Sequence, residues 1–440
     1  MNLQTASTNV NQIQTLPHAE TKDSRRLLVS CMLGNALEWY DFVIYGYFAA
    51  IFGTLFFPNA DPMNQMLASW VVFWAGFLAR PLGSIVFGHI GDKFSRKSAL
   101  TLSIYVMAVP TMLMGCIPTY SQIGILAPIM LVALRTMQGF AIGGEFTGSM
   151  VFLVEHAPKH QRGFWGSWAS FSAVSGVILG SILVAALNAG LSSEQMQEWG
   201  WRFPFILSIL GSVVAGYIRR RLSDPAVYLE AKAKRKKESV PLKELFLYCK
   251  AKIGLIILLD FLTAVGFFMV AIFLATYFRT HLKLGDHIAL SINTFSMFIF
   301  ACSTLLGGWL SDRIGRKRTL AYPCVGFILL SYPLFVLLQT AEPMVLLGVQ
   351  SLFALMMGVF FGTIPTALVE IIPTSVRFSG LSLAHNICMA VLGGGTPLIA
   401  SKIIHTTNDL ASPAYLLMGA AAGSLLSLWF MKDRYQENLD

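Results

Sequence analysis

Charge is what this sequence has least of. Only 12% of its 440 residues are Asp, Glu, Lys or Arg, where a soluble globular domain carries about 25%. That shortage excludes an ordinary soluble multidomain protein. A soluble chain of this length would divide into about three domains joined by polar linkers, and only one substantial hydrophilic segment, residues 219–252, interrupts the chain. Cysteine is sparse as well. The six cysteines (Cys31, Cys116, Cys249, Cys302, Cys324, Cys388) are scattered, mostly inside apolar runs, with no CxxC, so a disulfide framework and a zinc ribbon are both excluded. His156 and His160 stand four apart but have no third ligand type nearby, and no metal site is expected. Nucleophile-elbow, HExxH and P-loop patterns are missing, so nothing points to an enzyme or to a cofactor. The first residues lack the apolar core of a signal peptide, and residues 1–27 are expected to form a polar cytoplasmic tail.

What is present is apolar length. Hydrophobic residues make up 55% of the chain and mean hydropathy is +0.63. A bilayer core of about 30 Å takes about 20 apolar residues per helix. That ruler gives six spans near 28–57, 66–90, 99–117, 123–150, 164–187 and 201–222, and six more near 253–279, 286–310, 319–340, 343–369, 378–404 and 412–431. The expectation is an all-α membrane protein with twelve transmembrane helices. Its parts are an amino-terminal bundle over 28–222, a basic linker over 223–252, a carboxy-terminal bundle over 253–432 and a short tail over 433–440.

The two sets of six are copies. Gly88-His-Ile-Gly-Asp92-Lys93-Phe-Ser-Arg96-Lys97 recurs as Gly308-Trp-Leu-Ser-Asp312-Arg313-Ile-Gly-Arg316-Lys317, and Glu155-x-x-Pro158-x-x-x-Arg162 recurs as Glu370-x-x-Pro373-x-x-x-Arg377. Two unrelated motifs at nearly one offset mean two pseudo-symmetric halves, the usual build of secondary transporters. The repeated acids and bases (Gly88, Asp92, Arg96, Glu155, Arg162, Asp312, Arg316, Glu370, Arg377) lie near helix ends, where carboxylates take backbone N–H bonds and pair with arginines. They are candidates for a latch between halves that closes in one state and opens in another.

Most of the 32 Lys and Arg residues fall on the loops and tails of one side. A positive-inside bias of this kind puts both termini in the cytoplasm. The net charge of +9 therefore reads as membrane orientation and contact with lipid head groups rather than nucleic-acid binding.

Charges near a bilayer centre cost at least about 2.5–3.5 kcal/mol each, so each one inside a span is a functional candidate. The first span holds Glu38 and Asp41, three apart and on one helix face. The second holds Arg80, the fourth Arg135 and Glu145, the seventh Asp260, and the eleventh His385 beside Asn386. Rise per residue brings Glu38, Asp41 and Arg80 to similar depth, and Arg135 is expected to find its counter-charge in Glu38 or Asp41. An offset of 220 takes Asp41 to Phe261, Arg80 to Phe300 and Arg135 to Leu355, and only Asp260 echoes the first-span acids, which places ion coupling in the first half. Asp41 and Glu38 are the proton-coupling candidates; Arg80, Arg135, Tyr45, Gln138 and Asn386 are the solute candidates. Glu145, among Gly139, Gly143 and Gly144, reads as a packing position with a local hydrogen bond, and His385 as a satisfied helix-interface residue. Gly393-Gly-Gly395-Thr-Pro397 reads as a flexing point.

The doubled G-x-x-x-D-[KR]-x-x-R-K loop resembles the signature of the major facilitator superfamily. The runs Gly34-Asn-Ala-Leu-Glu38-Trp39-Tyr40-Asp41-Phe42, Arg80-Pro-Leu-Gly83, Gln138-Gly-Phe-Ala-Ile-Gly143-Gly144-Glu145 and Glu370-x-x-Pro-x-x-x-Arg377-x-x-Gly380 are similar to its metabolite:proton symporter family, which includes proline/betaine, α-ketoglutarate, citrate and shikimate permeases. The resemblance covers residues 28–432. It implies two six-helix bundles in the major facilitator fold around a central cavity, and uptake driven by the proton gradient across a bacterial inner membrane. Two departures are visible: no long carboxy-terminal coiled coil of the osmosensing betaine carriers, and Ser95 where the family usually has glycine.

The expected function is proton-coupled import of a small carboxylate-bearing solute by alternating access, as a monomer without a cofactor. The solute would be a proline- or betaine-like zwitterion or a di- or tricarboxylate. A proton/drug antiporter of the same fold and a transporter-like sensor signalling through the linker are the alternatives.

Overall fold

The computed structural model describes residues 21–94, 96–219, 250–437 and 439. The tail up to residue 20, Ser95, most of the 223–252 linker, and the side chains of Asp92 and Arg96 lie outside what is described. Among the described residues every regular element is helical. The spans are α1 (Thr21–Tyr47, continued by Ala49–Phe56), α2 (Pro62–Leu78 and Arg80–Lys93), α3 (Arg96–Cys116), α4 (Leu126–Ile142 and Glu145–His156), α5 (Arg162–Gly190) and α6 (Ser193–Gln195 through Arg202–Arg219). They are followed by α7 (Lys250–Leu259, then Phe261–Phe268 through Leu274–Thr280), α8 (Asp286–Ile314), α9 (Arg316–Leu338), α10 (Pro343–Ile371), α11 (Arg377–Cys388 and Thr396–Thr407) and α12 (Pro413–Phe430). Nine are long and apolar enough to cross a bilayer, α1 and α6 qualify as pairs bent by 59° and 47°, and α3 holds the shorter apolar helix Thr101–Cys116. The described helices fall on the twelve runs read from the sequence, and up to eleven of them have the length and apolarity of a span. Large apolar side chains such as Leu210, Leu329 and Trp429 face outward, a surface suited to lipid rather than water.

Local sequence explains the ends. Asp61 caps α2, its Oδ1 accepting from the backbone N–H groups of Asn64 and Met63 at 3.1 Å each, ahead of Pro62 in the first turn. The Asn64 backbone bond is the chief reason its carboxyl lies below the usual carboxylate range. In both copies of the Glu-x-x-Pro-x-x-x-Arg motif, the glutamate closes one helix, proline forces an extended residue and a single 3₁₀ turn, and arginine opens the next helix.

Several spans break deep inside the bundle. α2 breaks at Ala79 before Arg80-Pro81, α4 at Gly143-Gly144, and α7 at Asp260 and again over a π-turn at Met269–Phe273. α11 breaks over a π-turn at Met389–Gly393 before Gly394-Gly395, the stretch expected to flex. Irregular backbone at this depth is tolerated where protein or a cavity covers it, and π-turns mark functional positions.

Glycine sets how closely the helices approach. A Cβ on Gly139 of α4 would run into the Gly76 carbonyl of α2, so the two backbones touch. Gly139→Val is expected to destabilise the amino-terminal bundle by about 3 kcal/mol, seen as a lower melting temperature of purified protein and a smaller monodisperse yield. Between the halves, α5 lies along α8 and α10, and α2 along α11.

Candidate functional site

The break in α2 presents Arg80 to the seam between the halves. Arg80 is 1% exposed. Its Nε donates to Asn386 Oδ1 of α11 at 2.8 Å, and its guanidinium lies 5.2 Å from the Phe77 ring centre. Asn386 is held in turn. Its Nδ2 donates to the Gly143 carbonyl at the α4 break (2.6 Å) and to the Ser382 carbonyl (2.8 Å), while Ser382 Oγ donates to the same Gly143 carbonyl at 2.6 Å. Arg80 Nη2 is buried with no partner. Two carboxylates, Glu38 of α1 and Asp260 of α7, are within electrostatic reach of that guanidinium.

Around it stands an aromatic wall drawn from both halves. Trp39 packs edge-on to Phe146 at 5.7 Å and against Phe267 at 4.6 Å; Phe146 stacks on Phe361 at 5.7 Å; Phe77 meets Phe268 at 4.9 Å. Trp39 Nε1 is a second buried donor without a partner.

Arg135 occupies a different place, inside the amino-terminal bundle. Its guanidinium lies 3.6 Å from the centre of the Phe42 ring, 4.6 Å from Tyr45 and 5.0 Å from Phe73. Nη1 donates to Gln138 Oε1, and Nη2 donates to the Phe42 carbonyl at 3.2 Å. Gln138 Nε2 donates to Thr111 at 2.8 Å, and Tyr45 donates to the Ser69 carbonyl at 3.2 Å. The expected direct pairing of Arg135 with Glu38 or Asp41 is not what forms. Asp41 acts on it only at longer range, because its carboxylate turns toward the hydroxyls of Thr111 on α3 and Ser208 on α6. Asp41 is 2% exposed, with Oδ1 unpartnered. Glu145 accepts from Ser103 at 2.7 Å, a local bond within the same bundle.

The structure also places a pair that sequence reading kept apart. His385 Nδ1 lies 2.6 Å from Asp260 Oδ2, and both side chains are fully buried. Each was visible as a polar residue in an apolar run, but 125 positions separate them and no local signal joins them.

At the end of the bundle bearing the repeated motifs, the halves are latched. Asp312, closing α8, accepts from the Gly163 and Phe164 backbone N–H groups at the start of α5, at 2.8 and 2.9 Å. Arg316 donates to Asp312 at 2.8 Å and forks onto Glu370 at 3.0 and 3.3 Å. Glu155 of α4 pairs with Arg377 of α11 at 2.9 Å, buried on both sides. Thr366 donates to the Arg162 carbonyl at 2.8 Å. The Gly88 backbone rests against Ser379, which a Cβ there would meet at 3.3 Å. The segment after α12 joins in: Asp433 accepts from the Arg316 and Lys317 amides at 3.2 and 3.1 Å, and the Glu437 carbonyl accepts from Arg162 at 2.8 Å. Sequence reading missed Asp433, which sits in no repeat.

The opposite end is also bridged. Deeper in the seam, at the α11 break, Trp74 donates to the Ala390 carbonyl at 2.6 Å; at this end Asn293 donates to Tyr47 at 3.1 Å and Arg279 to the Tyr47 carbonyl at 3.4 Å. A cavity of about 430 Å³ opens there, lined by Tyr47, Asn188, Gln197, Arg279, Asp286 and His287. Of the candidates, then, Arg80 and Asn386 meet at the seam, Arg135, Gln138 and Tyr45 share a box with Asp41 beside it, and the described latch residues act as one cluster.

The sequence model of the Major Facilitator Superfamily fits residues 28–397. The chain belongs to the major facilitator superfamily. Among its relatives is the proline/betaine transporter of Salmonella typhimurium, 33% identical over 426 residues, spanning 93% of this chain and 83% of that one. The glycine betaine/proline/ectoine/pipecolic acid transporter of Dickeya dadantii is 33% identical over 419 residues, with the same coverage. Among solved structures, the proton:xylose symporter bound to 6-bromo-6-deoxy-D-glucose shares the fold, with a TM-score of 0.80 at 16% identity over 95% of this chain and 98% of that one. These relatives place the chain among transporters, not enzymes, and the resemblance to metabolite:proton symporters stands. It is a multi-pass membrane protein.

Proposed function

We propose that this major facilitator protein is a proton-coupled symporter that imports a small zwitterion across a bacterial inner membrane, with both termini in the cytoplasm. The observation that carries the reading is the charge balance at the seam. One arginine with an unpartnered N–H stands among two carboxylates, Glu38 and Asp260, and an aromatic wall. A solute with one carboxylate and one cationic nitrogen fits: its carboxylate takes Arg80 Nη2, and its cation finds the acids and the ring faces. A di- or tricarboxylate would bring two or three negative charges to a place already holding two, with Arg135 boxed away by its rings. The listing of proline and betaines in the names of the relatives points the same way. Asp41, with Glu38 nearby, carries the proton, and rocking of the bundles about the seam exposes the site to each side in turn.

Purified protein in liposomes with an alkaline interior tests this. Labelled glycine betaine or proline should accumulate above equilibrium and labelled citrate should not; accumulation of citrate alone would reverse the assignment. Arg80→Ala removes the charge-assisted bond and should weaken glycine betaine binding about 10- to 100-fold, as titration calorimetry would read.

A further inference from the structure

The proton pathway assigned above uses only acids of the amino-terminal half, yet the other half buries a histidine bonded to Asp260 that this pathway does not use. His385 and Asp260 bond across α11 and α7 at 2.6 Å, with no exposure on either side chain. Each has one further polar atom, His385 Nε2 and Asp260 Oδ1, buried and without a partner. A polar group buried without a partner is unfavourable, and here two of them flank one hydrogen-bonded pair.

The surroundings say what these two atoms could bind. Arg80 of α2 and Cys388 of α11 lie within electrostatic reach of Asp260, and Glu38 of α1 reaches the same Arg80 guanidinium. α4 contributes the Phe146 ring, 5.4 Å from the imidazole, with its Glu145 turned away to Ser103. α12 contributes Ser424, which meets the Leu259 carbonyl and the Leu262 amide around the α7 break at 2.8 and 2.9 Å. α10 contributes Phe361, beside Phe146. No second cation besides Arg80 is among these groups.

We propose that His385 and Asp260 together form a second proton-binding site, housed in the carboxy-terminal half and acting on the Arg80 solute position. The inference rests on the symport reading above. With one proton between them, Nδ1–H of a neutral imidazole donates to the Asp260 carboxylate and the pair carries one negative charge. A proton arriving from the water-facing side binds the Nε2 lone pair, giving imidazolium and carboxylate, and the pair becomes neutral. No bond other than N–H forms, and the same proton leaves from Nε2 on release. Counted with Glu38 and Arg80, loading removes the net negative charge of the cluster just where a solute carboxylate must settle. By linkage, solute binding then favours protonation by the same factor. The pair is also placed to report the state of the bundle. α7 breaks at Asp260 and α11 into its π-turn four residues after His385, so rotation of either segment changes what Nε2 faces.

The test compares wild type with His385→Gln, which keeps an N–H for Asp260 but accepts no proton. Wild-type protein in weakly buffered detergent should take up protons on adding glycine betaine, and His385→Gln should take up fewer. In liposomes, pH-driven accumulation of labelled glycine betaine should fall about 10-fold while counterflow exchange stays within about two-fold, a typical coupling magnitude. Unchanged proton uptake and accumulation in His385→Gln would overturn the proposal and leave the symport reading standing; wild type without any pH-driven accumulation would sink both. Should His385→Gln fail to fold, the Asp41→Asn variant supplies the answer. Its glycine betaine affinity should still rise as pH falls, and a flat profile would overturn the second site.

Discussion

Asp41→Asn is expected to abolish concentrative uptake while leaving exchange of solute across the membrane. The carboxylate is 2% exposed and makes no ion pair within its box; the hydroxyls of Thr111 and Ser208 and the more distant Arg135 are its company. An ionised acid so enclosed costs several kcal/mol that a bound proton removes. Asparagine has the shape of the protonated acid and holds that form permanently. The carrier then cycles loaded without waiting for a proton, so labelled solute should equilibrate but not climb a gradient. Proteoliposome uptake with and without an imposed pH gradient separates the two outcomes. Wild-type accumulation by the variant would remove Asp41 from the mechanism and transfer coupling to Glu38 or to the carboxy-terminal half.

Asp312→Ala should open the latch. The side chain accepts two backbone N–H bonds from the start of α5, in the other half, and a third bond from Arg316. Bonds to a charged group contribute about 1.5–3 kcal/mol each, so losing the two that cross the seam shifts the balance toward the form open at the latch end by at least about 3 kcal/mol, or about 100-fold in population. Arg316 keeps its fork onto Glu370, and the carboxy-terminal half should stay folded. Paired spin labels on the latch ends of α5 and α8 should report a longer distance, and the uptake rate should drop about ten-fold or more as the carrier lingers in one state. A distance distribution unchanged from wild type would mean that Glu155 and Arg377 hold the gate without Asp312.

The apolar spans and the two repeated motifs could be read from the sequence because each is written in local composition. Apolar length, a glycine-acid-base loop and a proline-broken corner act on their immediate neighbours. The internal geography of the charges could not. Arg135 and Asp41 share a depth, which made a direct pair the natural expectation, but depth along a helix leaves azimuth open. The rings of Phe42, Tyr45 and Phe73 surround the guanidinium, and Asp41 turns to α3 and α6 instead. The meeting of Asp260 with His385 depends on how α7 and α11 pack, and no spacing rule reaches across 125 residues. Arg80 with Asn386 lay between these cases: both were candidates, and the fold supplied the contact.

The amides of Gly163 and Phe164 are the first free donors of α5, and in the latched form a carboxylate from the opposite half occupies both. Once the seam parts, water must replace it. These two N–H groups therefore carry a built-in clock: deuterium should enter them at the frequency with which the carrier opens at this end, and a transported solute should change that frequency without any label being attached.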